Sequence, residues 1–353
     1  MPGYLRRSPF VVSYWMDGAL HFENYLTGKK ITAAPETAAI LDFFSDWKPA
    51  EAVCERWKQY TAKSLRKAVS GLAKESFLER SSRKNLGKTE TEKALLAWRE
   101  WNPAAAFFHF STKDAYSAEV TPEEIEAFTQ LVKSSSVPQP LKKYPGAPVV
   151  KLANGKYPEE FPTVLRERRT WRKFSPKQIS GQAFAKLMHL SFGVQAWEQI
   201  PKVGRLAQKT SPSGGALHPA EAYVLVRRVE GVSAGLYHYD AGGNRLQQLR
   251  RGASAAEIQK DLAGQWWFRD AAFVVYLTAV FGRTQWKYDY ARAYRAVLIE
   301  AGHLCQTFCL TATWLDLAPF CTIAIADTRI EKKLQLDGIS ESVIYAMGAG
   351  MKG

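Results

Sequence analysis

A continuous apolar run followed by a long helical pattern constrains the fold of this chain more than any other feature. The run AAFVVYLTAVF (271–281) predicts a buried strand, since it is about half as long as the roughly 20 residues that span a bilayer. In the following ARAYRAVLIEAGHLCQTFCLTATWL (291–315), apolar or small residues recur in steps of three and four. That spacing predicts a long helix packed on a sheet.

Further strand patterns accompany this pair, namely AYVLVRR (222–228), GLYHYD (235–240), RLQQLRR (245–251) and SVIYAMG (342–348). Because helices and strands mix without strict alternation, we expect residues 161–353 to form one α+β domain. No run is long enough to predict a membrane-spanning helix. The amino terminus MPGYLRRSPF also lacks the apolar region of a secretory signal.

The amino-terminal part predicts a separate domain. FVVSYW (10–15) and ALHFEN (19–24) are strand-like runs joined by Asp-Gly, a strong hairpin signal, and three helical patterns follow. Three helices with a hairpin indicate a winged helix over residues 1–88, an architecture that binds DNA or peptides. Residues 89–160 predict a helical segment and then an extended linker rich in Pro, Gly, Ser and Lys.

The chain is strongly basic. Its 353 residues include 48 Lys and Arg against 34 Asp and Glu, which gives a formal net charge of +14. A surplus of this size predicts an anionic partner through long-range steering, such as nucleic acid, an acidic peptide or a phosphorylated cofactor.

The four cysteines lack regular spacing, which indicates reduced thiols in a cytoplasmic protein. Cys305 and Cys309 lie one helical turn apart, but no second ligand pair accompanies them. We therefore expect core thiols and no metal site.

The terminal GAGMKG (348–353) matches the G-x-G-x-x-G pattern of dinucleotide sites and follows a strand. Such a site needs a helix whose amino terminus faces the pyrophosphate, and no helix follows in this sequence. We therefore expect no Rossmann site here.

A cluster of arginines lies in RERRTWRKFSP (166–176), where Arg168, Arg169 and Arg172 surround Thr170. Guanidinium groups hold phosphate through paired hydrogen bonds, and a hydroxyl adds another. This run alone fits either a phosphate-bearing cofactor or a solvated basic face.

A turn with two glycines precedes the strand AYVLVRR. Pro212, Ser213, Gly214 and Gly215 are expected to leave backbone amides free, and glycine lets a flat ring approach the main chain. His218 follows this turn, and a structural role is favoured over proton transfer.

In TQWKYDYARAYR (284–295), a lysine directly precedes a tyrosine. Neighbouring residues share no face of a helix or strand, so Lys287 and Tyr288 enter one pocket only if the backbone turns there. We place this turn between a strand ending near Phe281 and a helix beginning near Tyr290. A lysine base needs a pKa well below its usual value, which two nearby arginines and a dry pocket could supply. From the residues alone, an exposed Lys-Tyr pair is the simpler interpretation.

Together these segments resemble the FMN-dependent nitroreductase superfamily. More narrowly they are similar to its SagB/McbC-type peptide dehydrogenases, including cyanobactin-type thiazoline oxidases. The likeness covers about 161–353 and rests on the joint order of RRTWRKF, SPSGGALHPAEAYVLV, KYDYARAYRAVLIEAGHLCQTFCLTA and LDGISESVIYAMGAG. It implies an α+β fold that dimerises, with FMN bound in clefts between the subunits.

The resemblance also implies roles for the residues of these motifs. The arginine cluster would bind FMN. Arg168, Thr170 and Arg172 would contact its phosphate and ribityl groups, and Arg169 would bind it beside them. The turn from Pro212 to Gly215 would line the isoalloxazine ring. An adjacent Lys-Tyr pair is the catalytic signature of azoline-oxidising members. Lys287 would then be the base, and Tyr288 would position the substrate ring or relay the proton.

The implied reaction oxidises thiazoline or oxazoline rings to azoles in a ribosomally made peptide. The winged-helix-like unit would capture an acidic leader peptide, and a cyclodehydratase is the expected partner, whereas nucleic acid is not expected. One departure is Leu315–Pro319, where relatives carry Leu-Gly-Leu-Gly, so the substrate pocket is expected to differ.

Two alternatives stay open. One is a flavin enzyme of other specificity, such as a small-molecule nitroreductase or a peptide desaturase or reductase. The other is a non-catalytic winged-helix protein that binds DNA or a peptide.

Overall fold

The computed structural model describes residues 3–82, 90–114, 122–134, 159–201 and 204–353. Most of the predicted linker over 133–160 lies outside these ranges. The chain divides into two compact units, which we call the first and the second unit. The first contains residues 1–113 and 281–296, and the second contains residues 114–280 and 297–353.

Short strands and helices form the amino-terminal part of the chain. They are β1 (Tyr4–Arg7), β2 (Val11–Met16), β3 (Ala19–Asn24), β4 (Lys29–Thr32), α1 (Glu36–Phe43), β5 (Lys48–Pro49), α2 (Ala52–Arg56), α3 (Ala62–Lys74), β6 (Leu78–Ser81), α4 (Glu90–Ala97), α5 (Ala104–Ser111) and α6 (Pro122–Ser134).

The strands of the first unit form two antiparallel sheets, in the orders β5-β1-β6 and β2-β3-β4. The predicted hairpin is confirmed, because Met16 pairs with Ala19 and the two residues between them, Asp17 and Gly18, have φ of 51° and 74°. Positive φ at both central residues is what a two-residue hairpin turn requires. The winged-helix interpretation of this unit stays a prediction.

The core of the first unit joins these sheets to the first three helices. Thr61 caps α3 by accepting a hydrogen bond from the amide of Ser64, and α3 then buries one apolar face. The core consists of Leu5, Phe22, Leu41, Phe44, Ala50, Val53, Leu65, Val69, Leu72, Phe77 and Leu78.

The remaining elements follow residue 159. They are α7 (Glu160–Glu167), β7 (Phe174–Ser175), α8 (Gly181–Phe192), β8 (Ala196–Ile200), β9 (Gly204–Gln208), β10 (Ala220–Val226), β11 (Gly235–Asp240), β12 (Arg245–Arg251), α9 (Ala255–Asp261), β13 (Phe273–Val280), α10 (Phe281–Gln285), α11 (Tyr294–Trp314), β14 (Leu317–Thr322), α12 (Asp327–Leu334) and β15 (Glu341–Lys352).

An antiparallel sheet with the order β12-β11-β10-β13-β15-β14 organises the second unit, and β7 adds to β15. Side chains of β13 alternate between its two faces. Phe273, Val275 and Leu277 pack with the buried face of α11, whereas Val274 and Tyr276 pack with residues of α9 and α12. Helices therefore cover both faces, and the predicted α+β class is confirmed.

The predicted buried strand and long helix are both confirmed, with shifted boundaries. The strand ends at Val280, and a short helix that the sequence did not predict, α10, follows it directly. The long helix begins at Tyr294 and not near Tyr290, because a 3₁₀ turn occupies Ala291–Ala293.

The glycines of GAGMKG lie inside β15 and not in a phosphate-binding turn. A Cβ atom at Gly348 would lie 2.6 Å from both the Phe273 carbonyl oxygen and the Phe320 ring, and one at Gly350 would lie 2.7 Å from the Phe174 ring. These glycines therefore permit close packing of aromatic rings on the strand. None of the helices in the described ranges has the length and apolarity needed to cross a membrane.

Candidate active site

The arginine cluster follows α7 as an irregular segment in the second unit. The amide of Trp171 donates to the carbonyl oxygen of Pro319 at 2.9 Å, which ties the segment to β14. Arg168 is half-buried and Arg172 is exposed. Neither guanidinium makes a hydrogen bond or an ion pair with the part of the chain that the structure describes. Both groups are therefore available to an anionic ligand.

Arg169 differs from its two neighbours. Its Nη1 atom donates to the carbonyl oxygens of Arg166 at 2.6 Å and Arg168 at 2.8 Å. Carbonyls at the end of a helix lack intrahelical partners, so this guanidinium caps the carboxyl end of α7. Cofactor binding by Arg169 stays a prediction, as it does for Arg168, Thr170 and Arg172.

The glycine turn forms a short 3₁₀ turn over Gly214–Ala216. Gly215 has φ 68° and ψ 17°, a left-handed conformation that glycine adopts without steric strain. Ala216 follows with φ 56°, so the backbone twists tightly at this point. A turn of this kind, without a Cβ atom at its centre, lets a planar ligand approach the main chain.

One face of α11 holds this turn in place. Glu300 Oε2 accepts a hydrogen bond from Ser213 Oγ at 2.5 Å, and the Thr307 and Ser211 hydroxyls are 2.7 Å apart. Between them, His303 Nδ1 lies 3.4 Å from the Pro212 carbonyl oxygen. Positions 300, 303 and 307 share one helix face, which explains why a single helix contacts consecutive residues of the turn.

Glu300 is the least expected member of this site. Its side chain is buried, and Oε1 has no hydrogen-bond partner among the described residues. Burial raises the pKa of the Glu300 carboxyl, while the hydrogen bond from Ser213 and the charges of Lys209 and His303 lower it. The sequence signal was one acidic residue in an otherwise apolar stretch of helix, and sequence reasoning did not use it.

His218 supports the turn from the other side. Its backbone amide donates to Ser213 Oγ at 2.9 Å, and its Nε2 lies 2.9 Å from the Ala207 carbonyl oxygen. With the ring nitrogen engaged by main chain and the residue at φ 42°, these contacts favour the structural role over proton transfer.

The Lys-Tyr pair lies in the first unit, on the turn that follows α10. The amides of Lys287 and Tyr288 donate to the same carbonyl oxygen, that of Thr284, at 3.3 and 3.0 Å. Lys287 Nζ lies 5.5 Å from the centre of the Tyr288 ring, so both side chains are on one side of the turn. The predicted turn is therefore confirmed, while the catalytic role of the pair stays a prediction.

Buried aromatic residues of the first unit hold this turn. Trp101 Nε1 donates to the Tyr288 carbonyl oxygen at 3.1 Å, and the Trp98 ring packs 4.8 Å from that of Phe281. His109 Nδ1 lies 2.8 Å from the Tyr294 hydroxyl at the start of α11. The segment around residues 98–110 thus positions the Lys-Tyr pair, a contribution that sequence spacing alone did not reveal.

These features fit a flat cofactor that carries a phosphate. The second unit offers two guanidiniums that make no hydrogen bond or ion pair within the described ranges. It also offers a glycine turn, held by the long helix, that leaves room for a planar ring. A model of the nitroreductase family matches residues 165–351, more than half of the chain.

The chain belongs to the nitroreductase family. This family comprises FMN-dependent oxidoreductases, so both the predicted fold and the predicted superfamily are confirmed. The matched residues include the arginine cluster, the glycine turn and the Lys-Tyr pair.

Two sequence relatives of this nitroreductase-family chain are informative. The trifolitoxin-processing protein TfxB of Rhizobium leguminosarum bv. trifolii is 26% identical over 175 residues, which cover 48% of this chain and 47% of that protein. A protein of Methanocaldococcus jannaschii named as a nitroreductase is 29% identical over 189 residues, covering 54% of this chain and 89% of that protein. The chain therefore spans about half the length of TfxB.

A solved structure shares the nitroreductase-like fold over more of the chain. It belongs to the Escherichia coli microcin synthetase McbBCD complex with truncated pro-MccB17 bound, and it superposes with a TM-score of 0.52 at 21% identity. The match covers 73% of this chain and 97% of that one. The nitroreductase-family chain is thus similar in sequence to a protein named for trifolitoxin processing, and it shares the fold of a chain in the microcin synthetase complex.

Proposed function

We propose that this protein is an FMN-dependent dehydrogenase that oxidises azoline rings to azoles in a ribosomally made peptide. The observation that carries the proposal is the Lys-Tyr pair on one turn, with Lys287 Nζ 5.5 Å from the centre of the Tyr288 ring. The names of TfxB and of the microcin synthetase support a peptide substrate.

The cofactor would be held by residues of the second unit. Arg168 and Arg172 would bind the phosphate of FMN through charge-assisted hydrogen bonds, with Thr170 adding a hydroxyl. The turn from Pro212 to Gly215 would lie against the isoalloxazine ring. Bound FMN would supply a two-electron acceptor that takes a hydride from the substrate ring.

Lys287 would act as the base in this reaction. Its neutral amine would remove the proton from one ring carbon of the azoline, while the hydride leaves the neighbouring carbon. Loss of one proton and one hydride creates the second double bond of the azole. Tyr288 would orient the ring by contact with its face and would hydrogen-bond a ring heteroatom through its hydroxyl.

Lys287 is exposed in the described structure, whereas a lysine base works best in a dry environment. In this proposal the substrate peptide itself excludes water when it covers the turn. Trp286 and Tyr290, which are 70% and 52% exposed on either side of the pair, offer apolar surface for that contact.

The first unit would bind the leader of the substrate. An apolar cavity of about 360 Å³ between α1 and α3 is lined by residues that include Ile40, Trp57, Tyr60 and Leu65. A cavity of this size accommodates side chains of a docked peptide, and the net charge of +14 favours an acidic one. A homodimer and a cyclodehydratase partner belong to the same proposal.

The test begins with purified protein and its flavin absorbance. A precursor peptide that already contains azoline rings is then incubated with the protein, and mass spectrometry follows the loss of about 2 Da per ring, the mass of two hydrogens. Protein without flavin would contradict FMN dependence. Flavin-loaded protein that reduces nitroaromatic compounds but leaves such a peptide unchanged would favour a nitroreductase of other specificity.

A further inference from the structure

Three of the four cysteines meet inside the second unit. Cys305 and Cys309 are buried one turn apart on α11, and Cys321 of β14 is half-buried beside them. The three Sγ atoms all lie within 4.8 Å of one another. We refer to these three residues as the thiol cluster.

The geometry of the chain explains why Cys321 joins a pair that lies earlier in the sequence. From Cys309 to the end of α11 at Trp314 the chain advances by about 7.5 Å at 1.5 Å per helical residue. It then reverses at Asp316, which has φ 57°, and β14 returns by about 13 Å between Leu317 and Cys321. The prediction of no metal site rested on the absence of a second ligand pair beside Cys305 and Cys309, and this reversal brings one further thiol to them.

The arrangement suits a soft metal ion. Metal–sulfur bonds of about 2.3 Å place three sulfur atoms of a trigonal site about 4 Å apart, so the thiol cluster needs only a small contraction. Among the described residues, no histidine or carboxylate joins the group. Sulfur-only ligation favours Cu(I) or Zn(II) over hard ions, and Zn(II) would require a fourth ligand.

Two polar side chains, those of Arg168 and Tyr345, lie near the thiol cluster. Arg168 brings a positive charge close to Cys309 and Cys321. Thiols that bind a metal ion do so as thiolates, so metal binding would release their protons.

We propose that the thiol cluster binds one Cu(I) ion through three sulfur atoms. Tyr345 and Arg168 form the outer shell, in which the guanidinium offsets the negative charge of the thiolates. Half-buried Cys321 is the point of entry. The three sulfur ligands are separate from the residues proposed to bind FMN and the peptide, and Arg168 alone belongs to both sites.

The test uses the full-length protein, reduced and kept free of oxygen. Cu(I) is added in competition with the chelator bathocuproine disulfonate, whose Cu(I) complex is coloured. We expect wild-type protein to retain one Cu(I) per chain and Cys321→Ala to bind at least 100-fold more weakly. Cys54→Ser is the matched control, because Cys54 is the one cysteine outside the cluster and lies in the first unit. It should bind as wild type does.

Circular dichroism would establish that Cys321→Ala is folded. Should that variant unfold, X-ray absorption at the copper edge of the wild-type complex gives an independent result, with a first shell of sulfur atoms alone expected. Cu(I) held equally by Cys321→Ala, wild-type protein that loses Cu(I) to the chelator, preferential retention of Zn(II), or a shell containing nitrogen or oxygen would each overturn the proposal.

Discussion

Ser213 donates its hydroxyl hydrogen to Glu300 Oε2 across 2.5 Å, which links the glycine turn to a buried carboxyl on α11. The same hydroxyl oxygen accepts the backbone amide of His218 at 2.9 Å. The Ser213 side chain is therefore held both by α11 and by the backbone at His218. Its position depends on the Glu300 carboxyl, whose charged form is disfavoured by burial.

The stability of the protein should depend on pH through Glu300. Burial raises the pKa of this carboxyl above its ordinary value of 4.5, so the folded state binds the proton more tightly than the unfolded chain does. The stabilisation is complete below pH 4.5 and is lost as the pH rises through the folded pKa. Glu300→Gln removes this dependence, so the Tm advantage of the variant over wild type should grow with pH. Parallel melting curves that keep a constant Tm difference over that range would contradict the assignment.

Loss of the Ser213 hydroxyl should destabilise the protein at neutral pH. Ser213→Ala leaves the buried Glu300 carboxyl without its donor, which costs about 1–3 kcal/mol. Denaturant unfolding measures this change. Ser180→Ala is not a suitable control, because Ser180 caps α8. Ser233→Ala leaves the Ser213 contacts and this cap intact, so it should change the free energy of unfolding little. Equal effects of the two substitutions at positions 213 and 233 would count against the role of the bond.

Lys287→Ala should retain FMN and lose azoline oxidation. Removal of a general base lowers the rate by about 10²–10⁴-fold, while the proposed cofactor residues belong to the second unit. Flavin absorbance and the mass change of the substrate peptide report on the two properties separately. Lys186→Ala, an exposed lysine on α8, is the charge-matched control and should turn over as wild type does. Undiminished turnover by Lys287→Ala would rule out its role as base.

The three arginines of the cluster should respond differently to substitution. Arg168→Ala and Arg172→Ala remove guanidiniums that pair with none of the residues the structure describes. Each should weaken FMN binding by about 10- to 100-fold, the equivalent of one charge-assisted hydrogen bond. Arg169 donates to two carbonyl oxygens at the end of α7, so Arg169→Ala should keep its FMN. Fluorescence titration of FMN into the apoprotein measures all three. The opposite ranking would show that the capping arginine is the phosphate ligand.

Trp101 should contribute to the stability of the first unit through its indole N–H. Trp101→Phe keeps a large ring in a buried position but leaves the Tyr288 carbonyl oxygen without its donor, which costs about 1–3 kcal/mol. Trp286→Phe, at a side chain that is 70% exposed, serves as the comparison and should leave the unfolding free energy nearly unchanged. A thermal or denaturant melt distinguishes the two variants.

Features set by neighbouring residues were predictable from the sequence. The Asp-Gly hairpin, the apolar β13 and the three-and-four spacing of α11 all carry local signals, and each element is present where it was expected. The turn at Lys287 was predicted for a similar reason, since two adjacent side chains share a side only where the backbone turns. Boundaries were less accurate, because the 3₁₀ turn over Ala291–Ala293 resembles the first turn of the helix that follows.

Contacts between distant parts of the chain were not predictable. Ser213 and Glu300 are separated by 87 positions, and Trp101 and Tyr288 by 187. The local sequence around each of these residues does not identify its distant hydrogen-bond partner, because only the tertiary fold brings the two together. The same holds for Cys321, whose place beside Cys309 depends on the exact length of the helix and on the reversal at Asp316.

The membership of residues 281–296 in the first unit has a practical consequence for dissecting the molecule. A fragment limited to 165–351, the extent of the family match, would carry Phe281 and Tyr294 without the tryptophans that bury them. Such a fragment would expose the apolar rings of Phe281 and Tyr294 to solvent and would be prone to aggregate. Limited proteolysis should accordingly cleave residues 281–296 more slowly in the whole chain than in such a fragment.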